Sequence, residues 1–392
     1  MRAGPNGRYP PPLNPQGKIL IGAGDVGGAR AVLPALRELE KRGRDFDLLD
    51  HGLIVKEAPS HWPRVSVPQN DSAFQEILSA KYSAYAFGTS VSDSYPLRIA
   101  RMARAGGVPV VCVLDNWMNY RKRLETDGEP MLVPDAYAAM DDLARDEAIA
   151  DGVPADCLRL VGHPAISSLA DDYLASSLET ERGETLQHSG LPADGKRLIV
   201  FVSEPAEQDQ GADARSPGFR GYHEKSVLRL LSRCLQPFHE RIQVGLVPHP
   251  REDVRQLLAH WEVCRGKLQG GQLAVKSGRH AVFIADGVCG MASLLLYEAL
   301  LLGKPVLSLQ PGLRLSQLEF LRKKGVEAFV TEESVAPERI TAWVEETISR
   351  ASSSAPPLFH SEMDLHRYSP SRLADLLERP LPSPPPLRKA EK

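Results

Sequence analysis

The residues with chemistry to offer lie where short apolar runs break into glycine, serine or proline. The first such break is Gly22-Ala-Gly-Asp25-Val-Gly27-Gly28. Glycines here let backbone approach a ligand, and the free N–H groups of a helix start suit an anion or a sugar hydroxyl. Asp25 is placed either to take a proton from a substrate or to cap the helix that follows. Gly22, Gly24 and Gly27 also fit the GxGxxG spacing of dinucleotide sites, with Asp47 or Asp50 as the acidic partner; this is a weaker reading. The next break, Gly88-Thr-Ser-Val-Ser-Asp93-Ser-Tyr-Pro96, offers Asp93 as a second base or a second cap. Leu114-Asp115-Asn-Trp117-Met-Asn-Tyr120-Arg121-Lys-Arg123 sets a ring beside an acid and a base. Trp117 would stack on a sugar or fill a core, and Arg121 would pair with phosphate or face solvent. Val161-Gly-His163-Pro164 holds a histidine in a rigid turn, as a ligand contact or a structural group.

The second half repeats the pattern. Val202-Ser-Glu204-Pro205 ends an apolar run, and Val247-Pro-His249-Pro-Arg251-Glu252 pairs an imidazole with a guanidinium, a combination suited to an anion. The richest segment is Ala285-Asp286-Gly-Val-Cys-Gly290-Met291-Ala292-Ser293, which opens a mostly apolar stretch containing Glu298 and closes at Gly303-Lys-Pro305. The helix start over Gly290–Ser293 is suited to a diphosphate. Glu298, inside an apolar helix, is costly to bury unless bonded, and a ribose diol would bond it. Gln310 follows the next apolar run and is included among the candidate contacts.

These breaks need elements to hold them. Strands are expected over Lys18–Gly22, Phe46–Leu49, Tyr82–Phe87, Pro109–Leu114 and Cys157–Val161, with Met131–Val133 continuing the alternation. Helices are expected over Gly27–Arg42, Tyr95–Ala105 and Asp141–Ala150. The pattern restarts after a helix over Leu169–Gln187, with strands at Arg197–Val202, Ile242–Val247, Gln272–Val275, Ala281–Ala285 and Pro305–Leu309. Helices over Glu224–Gln236, Glu252–Val263, Met291–Leu302, Leu315–Lys323 and Pro337–Arg350 alternate with them. The reading is α/β: two doubly wound Rossmann-like domains, over residues 18–165 and 166–355, facing across a cleft, where doubly wound sheets bind ligands at strand ends. Residues 356–379 are expected to form a C-terminal helix returning to the first domain.

The chain has 392 residues, enough for two to three domains and a large core. Its net charge of −3, with 42% hydrophobic and 25% charged residues, is that of an ordinary globular protein and argues against nucleic acid as a partner. Five cysteines with no close pair exclude a CxxC zinc or redox site, and no metal cluster is seen. No run approaches the ~20 apolar residues of a membrane span. The expected location is the cytoplasm, with peripheral contact at the inner membrane face and a homodimer left open. Five of the 32 prolines fall in residues 1–17 and eight in 356–386, so residues 1–17 and 380–392 read as a disordered arm and tail.

The segment Asp286…Ser293…Glu298…Gly303-Lys-Pro305 resembles the donor helix of the GT-B glycosyltransferase superfamily, which includes nucleotide-sugar transferases and UDP-N-acetylglucosamine 2-epimerases. Val161-Gly-His163-Pro164 and Asp93…Val110…Trp117…Arg121 are similar to lipid A disaccharide synthase, and Val247-Pro-His249-Pro-Arg251-Glu252 to the CDP-glycerol glycerophosphotransferases. The resemblance implies a nucleotide-diphospho-sugar substrate, a UDP-sugar above others, held at the diphosphate by Ser293 and at the ribose by Glu298, with no further cofactor or metal. It implies a transferase moving sugar to an unidentified acceptor in glycan or envelope synthesis. Asp25, Asp93 or His249 would be catalytic, with Gly27, Gly28, Asp115, Trp117, Arg121, His163, Glu204 and Arg251 as substrate contacts. The His-Val-Glu-Ala-Gly-Leu-Arg signature of the 2-epimerases is absent after Val110–Leu114. A 2-epimerase or hydrolase acting on the nucleotide sugar is the first alternative, and a non-catalytic binder of the same fold the second.

Overall fold

Ile19, Leu20 and Ile21 are all fully buried, as a strand covered on both faces requires, and the segment forms the first strand of a wholly parallel sheet. In the computed structural model residues 17–67, 70–126, 128–350 and 359–378 are described. The expected arm and tail lie outside them, save Gly17. Two compact units emerge: the described residues to Ser168 together with those from Asp364 onward, and Leu169–Met363.

The first unit carries β1 (Lys18–Gly22), β2 (Phe46–Leu49), β3 (Arg64–Val65), β4 (Tyr82–Gly88), β5 (Val110–Val113), β6 (Ala136–Ala139) and β7 (Leu158–Leu160) in the order β3-β2-β1-β4-β5-β6-β7. The strand order reverses between β1 and β4, which sets the switch point at their carboxyl ends. The amphipathic helix Val26–Lys41 packs Val32, Leu36 and Leu39 on the sheet. The last helix, Ser369–Glu378, adds Leu373, Ala374 and Leu377 to the same core, and Asp375 and Glu378 both accept from Arg42 at 2.7 and 2.8 Å.

The second unit repeats the winding with β8 (Arg197–Val202), β9 (Ile242–Val247), β10 (Gln269–Gln272), β11 (Gly287–Gly290), β12 (Val306–Leu309) and β13 (Ala328–Val330), in the order β10-β9-β8-β11-β12-β13. Its core gathers Phe201, Leu231, Trp261, Leu307, Ile340 and Trp343. No helix of the described residues is long and apolar enough to cross a membrane.

Several expected boundaries move, each for a local reason. The strand expected at Met131–Val133 forms at Ala136–Ala139, because Pro134 has no N–H to give a ladder and pairing begins beyond it. Ala281–Ala285 is the end of a helix, Gly278–Ile284, whose start is capped by Ser277 accepting from the His280 N–H at 3.1 Å. The neighbouring strand is instead Gly287–Gly290, and the helix expected from Met291 begins at Leu294. The Leu169–Gln187 helix divides into Leu169–Ala175 and Leu178–His188. The strand expected at Gln272–Val275 spans Gln269–Gln272. The Asp71–Lys81 helix and strands β3 and β13 were not anticipated.

Candidate functional site

At the carboxyl ends of the first sheet, the helix Val26–Lys41 starts on Asp25, whose Oδ1 accepts from the Gly28 N–H at 2.7 Å. Asp25 is therefore an N-cap. Gly28 presses against the backbone of Gly88 at the end of β4, and an added Cβ there would stand 3.0 Å from the Gly88 carbonyl carbon. Beside it, Asp93 Oδ2 lies 2.7 Å from His51 Nε2, while Asp93 Oδ1 accepts from the Tyr95 N–H at 3.0 Å. The His51 ring packs on Tyr95, centroids 4.3 Å apart. The floor beneath Asp93 is Gly24, where any side chain would overlap the carboxylate. Gly52, at φ +69°, leans on Gly24 in turn and lets the chain after β2 bring His51 in. With Nε2 turned to Asp93, His51 Nδ1 is the atom left to accept a proton.

Asp115 sits against Gly27, which has no side chain to exclude it. Burial pushes its carboxyl up and the Arg123 guanidinium, 2.5 Å from Oδ1, pulls it back; Asp25 adds a smaller upward push. Arg123 is itself buried and donates to Thr89 O and Oγ1, both at 3.2 Å, and to Met118 O at 3.0 Å. His163 is buried; its Nε2 lies 3.1 Å from the Asp115 carbonyl and its N–H donates to His366 Nδ1 at 3.0 Å. The expectation of a ligand-facing His163 is thus corrected: its imidazole lies in the fold. Trp117 is corrected likewise. It is 1% exposed, and its Nε1–H donates to buried Asp141 at 2.8 Å, so no ring face is open to a sugar. Arg121 points away from this cluster to Glu125 at 2.6 Å, while its N–H donates to Asp151 at 2.8 Å.

In the second sheet, Ser203 Oγ and the His249 N–H both donate to Glu252, at 2.7 and 2.9 Å. His249 Nδ1 accepts from the Arg251 N–H at 3.2 Å, which puts the ring proton on Nε2. Burial, then the nearby Arg251, hold the imidazole below its usual range, so it is a neutral donor. Arg251 is held bidentately by Asp209 at 2.6 and 2.7 Å. Glu204 accepts from the Ala292 N–H at 2.6 Å and from Arg220 at 3.1 Å; burial pushes its carboxyl up and Arg220 opposes.

The expected donor helix is corrected in several places. Asp286 stands at the start of β11, not at a strand end, where it accepts from the Leu198 N–H at 2.6 Å and pairs with Arg182 at 2.8 Å. This is the amino edge of the sheet, opposite the switch point. Gly290 and Met291 are buried, and the Met291 carbonyl accepts from Ser308 Oγ at 2.6 Å and Gln310 Nε2 at 3.2 Å. Gln310 is fully buried, with Oε1 taking the Tyr222 hydroxyl at 2.8 Å. Ser293 caps its own helix, accepting from the Leu295 N–H at 3.3 Å. Glu298 is gripped at both oxygens by Arg279, at 2.7 and 3.0 Å.

The structure thus gathers Asp25, Asp93 and Asp115 in the first domain, and Glu204, His249, Arg251 and Ala292 in the second. Among the described residues no cluster of His, Cys, Asp or Glu could hold a metal ion. Sequence reasoning missed His51, Arg220 and Arg279, and it took Arg121 rather than Arg123 as the working cation of its segment. His51 had a readable signal, since Asp50-His51-Gly52 directly follows β2 and the strand ends are where ligands bind.

Neither the models of known families nor the curated protein sequences give a match. Solved structures do. UDP-GlcNAc 2-epimerase from Methanocaldococcus jannaschii is 13% identical, with a TM-score of 0.62 over 92% of this chain and 99% of that one. The Neisseria meningitidis UDP-GlcNAc 2-epimerase bound to UDP-GlcNAc is 12% identical, with a TM-score of 0.57 over 92% and 100%. Anabaena Alr3699/HepE in complex with UDP-glucose is 14% identical, with a TM-score of 0.55 over 93% and 95%. At such identities the likeness is one of fold alone: the chain shares with these structures a fold of two α/β units, each built on a parallel sheet.

Proposed function

We propose that the protein is an enzyme acting on a nucleotide-diphospho-sugar, a UDP-sugar above others, by acid–base chemistry at the sugar. The observation that carries this is the His51–Asp93 pair: an imidazole oriented by a carboxylate, on a glycine floor at the switch point. Such a pair has the geometry of a general base, with the carboxylate fixing the ring so that its other nitrogen faces the proton to be moved. Within the second domain, the neutral His249 Nε2–H donor, Arg251 and the Ala292 loop are groups that suit a diphosphate. Epimerisation or hydrolysis of the nucleotide sugar is the reading favoured by the likeness to two UDP-GlcNAc 2-epimerases.

Sugar transfer to an acceptor is the second reading. One observation favours it: the 2-epimerase signature is missing after β5, where this chain has Asp115 and a buried Trp117. The same His51 would then deprotonate the acceptor hydroxyl.

The test is incubation of the full chain with UDP-GlcNAc in deuterium oxide, followed by proton NMR. Conversion of the donor alone to a 2-epimer, or to UDP and free sugar, supports the first reading. Consumption only after an acceptor is added supports the second. Either activity is expected to fall about 10²-fold or more in His51→Ala and Asp93→Asn. No nucleotide binding and no turnover would overturn both.

A further inference from the structure

The amide that opens the Leu294–Leu301 helix loop already holds an anion, and that anion belongs to the chain. Glu204 Oε1 accepts from the Ala292 N–H at 2.6 Å and Oε2 from Arg220 Nη1 at 3.1 Å. The two side chains are only 14% and 12% exposed. Arg220 Nε is buried without a partner, so this guanidinium has more to donate than Glu204 takes up. Arg220 is fixed from its backbone: its carbonyl accepts from the Arg314 N–H at 2.8 Å, and Gly221, at φ +105°, is wedged against Gly312. Glu204 lies just past the end of β8, where its carbonyl accepts from the Ala206 N–H at 2.8 Å, and only its carboxylate ties it to the Ala292 amide and Arg220.

We propose that Glu204 is a resident carboxylate occupying a phosphate position, and that Arg220 is the cation a diphosphate meets once Glu204 swings away. This rests on the reading of the second domain as the nucleotide-binding unit. A carboxylate and a phosphate compete for the same N–H and guanidinium donors. The resident acid keeps the loop amide and the buried arginine bonded while the site is empty, and it selects for ligands whose charge exceeds its own. A diphosphate displaces it; a neutral sugar does not.

The experiment is calorimetric titration of the full chain with UDP and, separately, with inorganic pyrophosphate. It compares wild type, Glu204→Gln, Glu204→Ala, Arg220→Ala and the Glu204→Gln/Arg220→Ala double variant, each checked for fold by circular dichroism. Glu204→Gln keeps the shape and a hydrogen-bond acceptor and drops the charge, so it serves if Glu204→Ala fails to fold. We expect UDP and pyrophosphate to bind Glu204→Gln about tenfold tighter than wild type, and the gain to vanish in the double variant. Equal or weaker UDP binding by Glu204→Gln, with wild type still binding, overturns this inference and leaves the nucleotide reading intact. A gain that survives loss of Arg220 also overturns it. If no form binds UDP or pyrophosphate, both fall together.

Discussion

Arg279 closes on Glu298 from both sides, Nη2 to Oε1 at 2.7 Å and Nε to Oε2 at 3.0 Å, with the glutamate side chain only 4% exposed. The pair joins the helix Gly278–Ile284 to the helix Leu294–Leu301. Removing one partner of such a pair strands the other charge away from water. Glu298→Ala and Arg279→Ala should each lower unfolding stability by about 3 kcal/mol, read by urea titration. A loss under about 1 kcal/mol would show that the pair is open to solvent. It follows that a changed melting temperature in Glu298→Ala does not by itself report a lost ribose contact.

Gly24 decides whether Asp93 can reach His51. Gly24→Ala places a methyl group inside the carboxylate, so the pair must part. Turnover of a nucleotide sugar should drop at least as far as in Asp93→Asn, with a stability loss of about 1–3 kcal/mol. Gly43→Ala is the control. Gly43 lies at positive φ, +69°, and meets nothing within 4 Å, so the change should cost about 1 kcal/mol of backbone strain and leave turnover alone.

Trp117 separates a core role from a sugar platform. Trp117→Phe keeps a ring but strips the donor from buried Asp141. A stability loss of about 1–3 kcal/mol with an unchanged KM is expected, from denaturation and steady-state kinetics. A raised KM at unchanged stability would restore the stacking role.

Lys304 carries a pH signature. Burial pulls its amine down to about 8 from an ordinary 10.5, although Nζ donates to the carbonyls of Phe283 and Ala285 at 3.0 and 2.7 Å. The folded state then binds fewer protons than the unfolded chain between those values, so stability should rise as pH climbs through this window and stay at its lower level below pH 8. Lys304→Met should flatten that rise in melting curves taken from pH 7.5 to 9.5. An unchanged slope would place the amine in solvent.

Much of the winding was legible because parallel strands buried on both faces write themselves as apolar runs, as in Lys18–Gly22, Arg197–Val202 and Ile242–Val247. Ala281–Ala285 shows where that signal fails. Five apolar residues fit a helix end as well as a strand, and only the Ser277 cap decides. That one error moved Asp286 to the wrong edge of the sheet. The site was less legible than the fold because partners come from far along the chain. Asp93 and His51 are 42 residues apart, and Glu204 and Ala292 are 88 apart. A carboxylate in a sequence announces a charge but not which amide or guanidinium will neutralise it. Trp117 and Glu298 both fill their polar needs inside the protein, which no local pattern reveals.

The Ser369–Glu378 helix gives the first domain a late-arriving part. Leu373, Ala374 and Leu377 complete a core whose other members come from residues before Ser168. Synthesis runs from the amino end, so the ribosome makes every strand of that sheet, then an entire second sheet, before releasing the residues that seal it. Until then the Val26–Lys41 helix keeps a bare apolar stripe and Arg42 lacks two of its acids. A cut or stop codon ahead of Ser369 therefore wounds the oldest domain, not the newest.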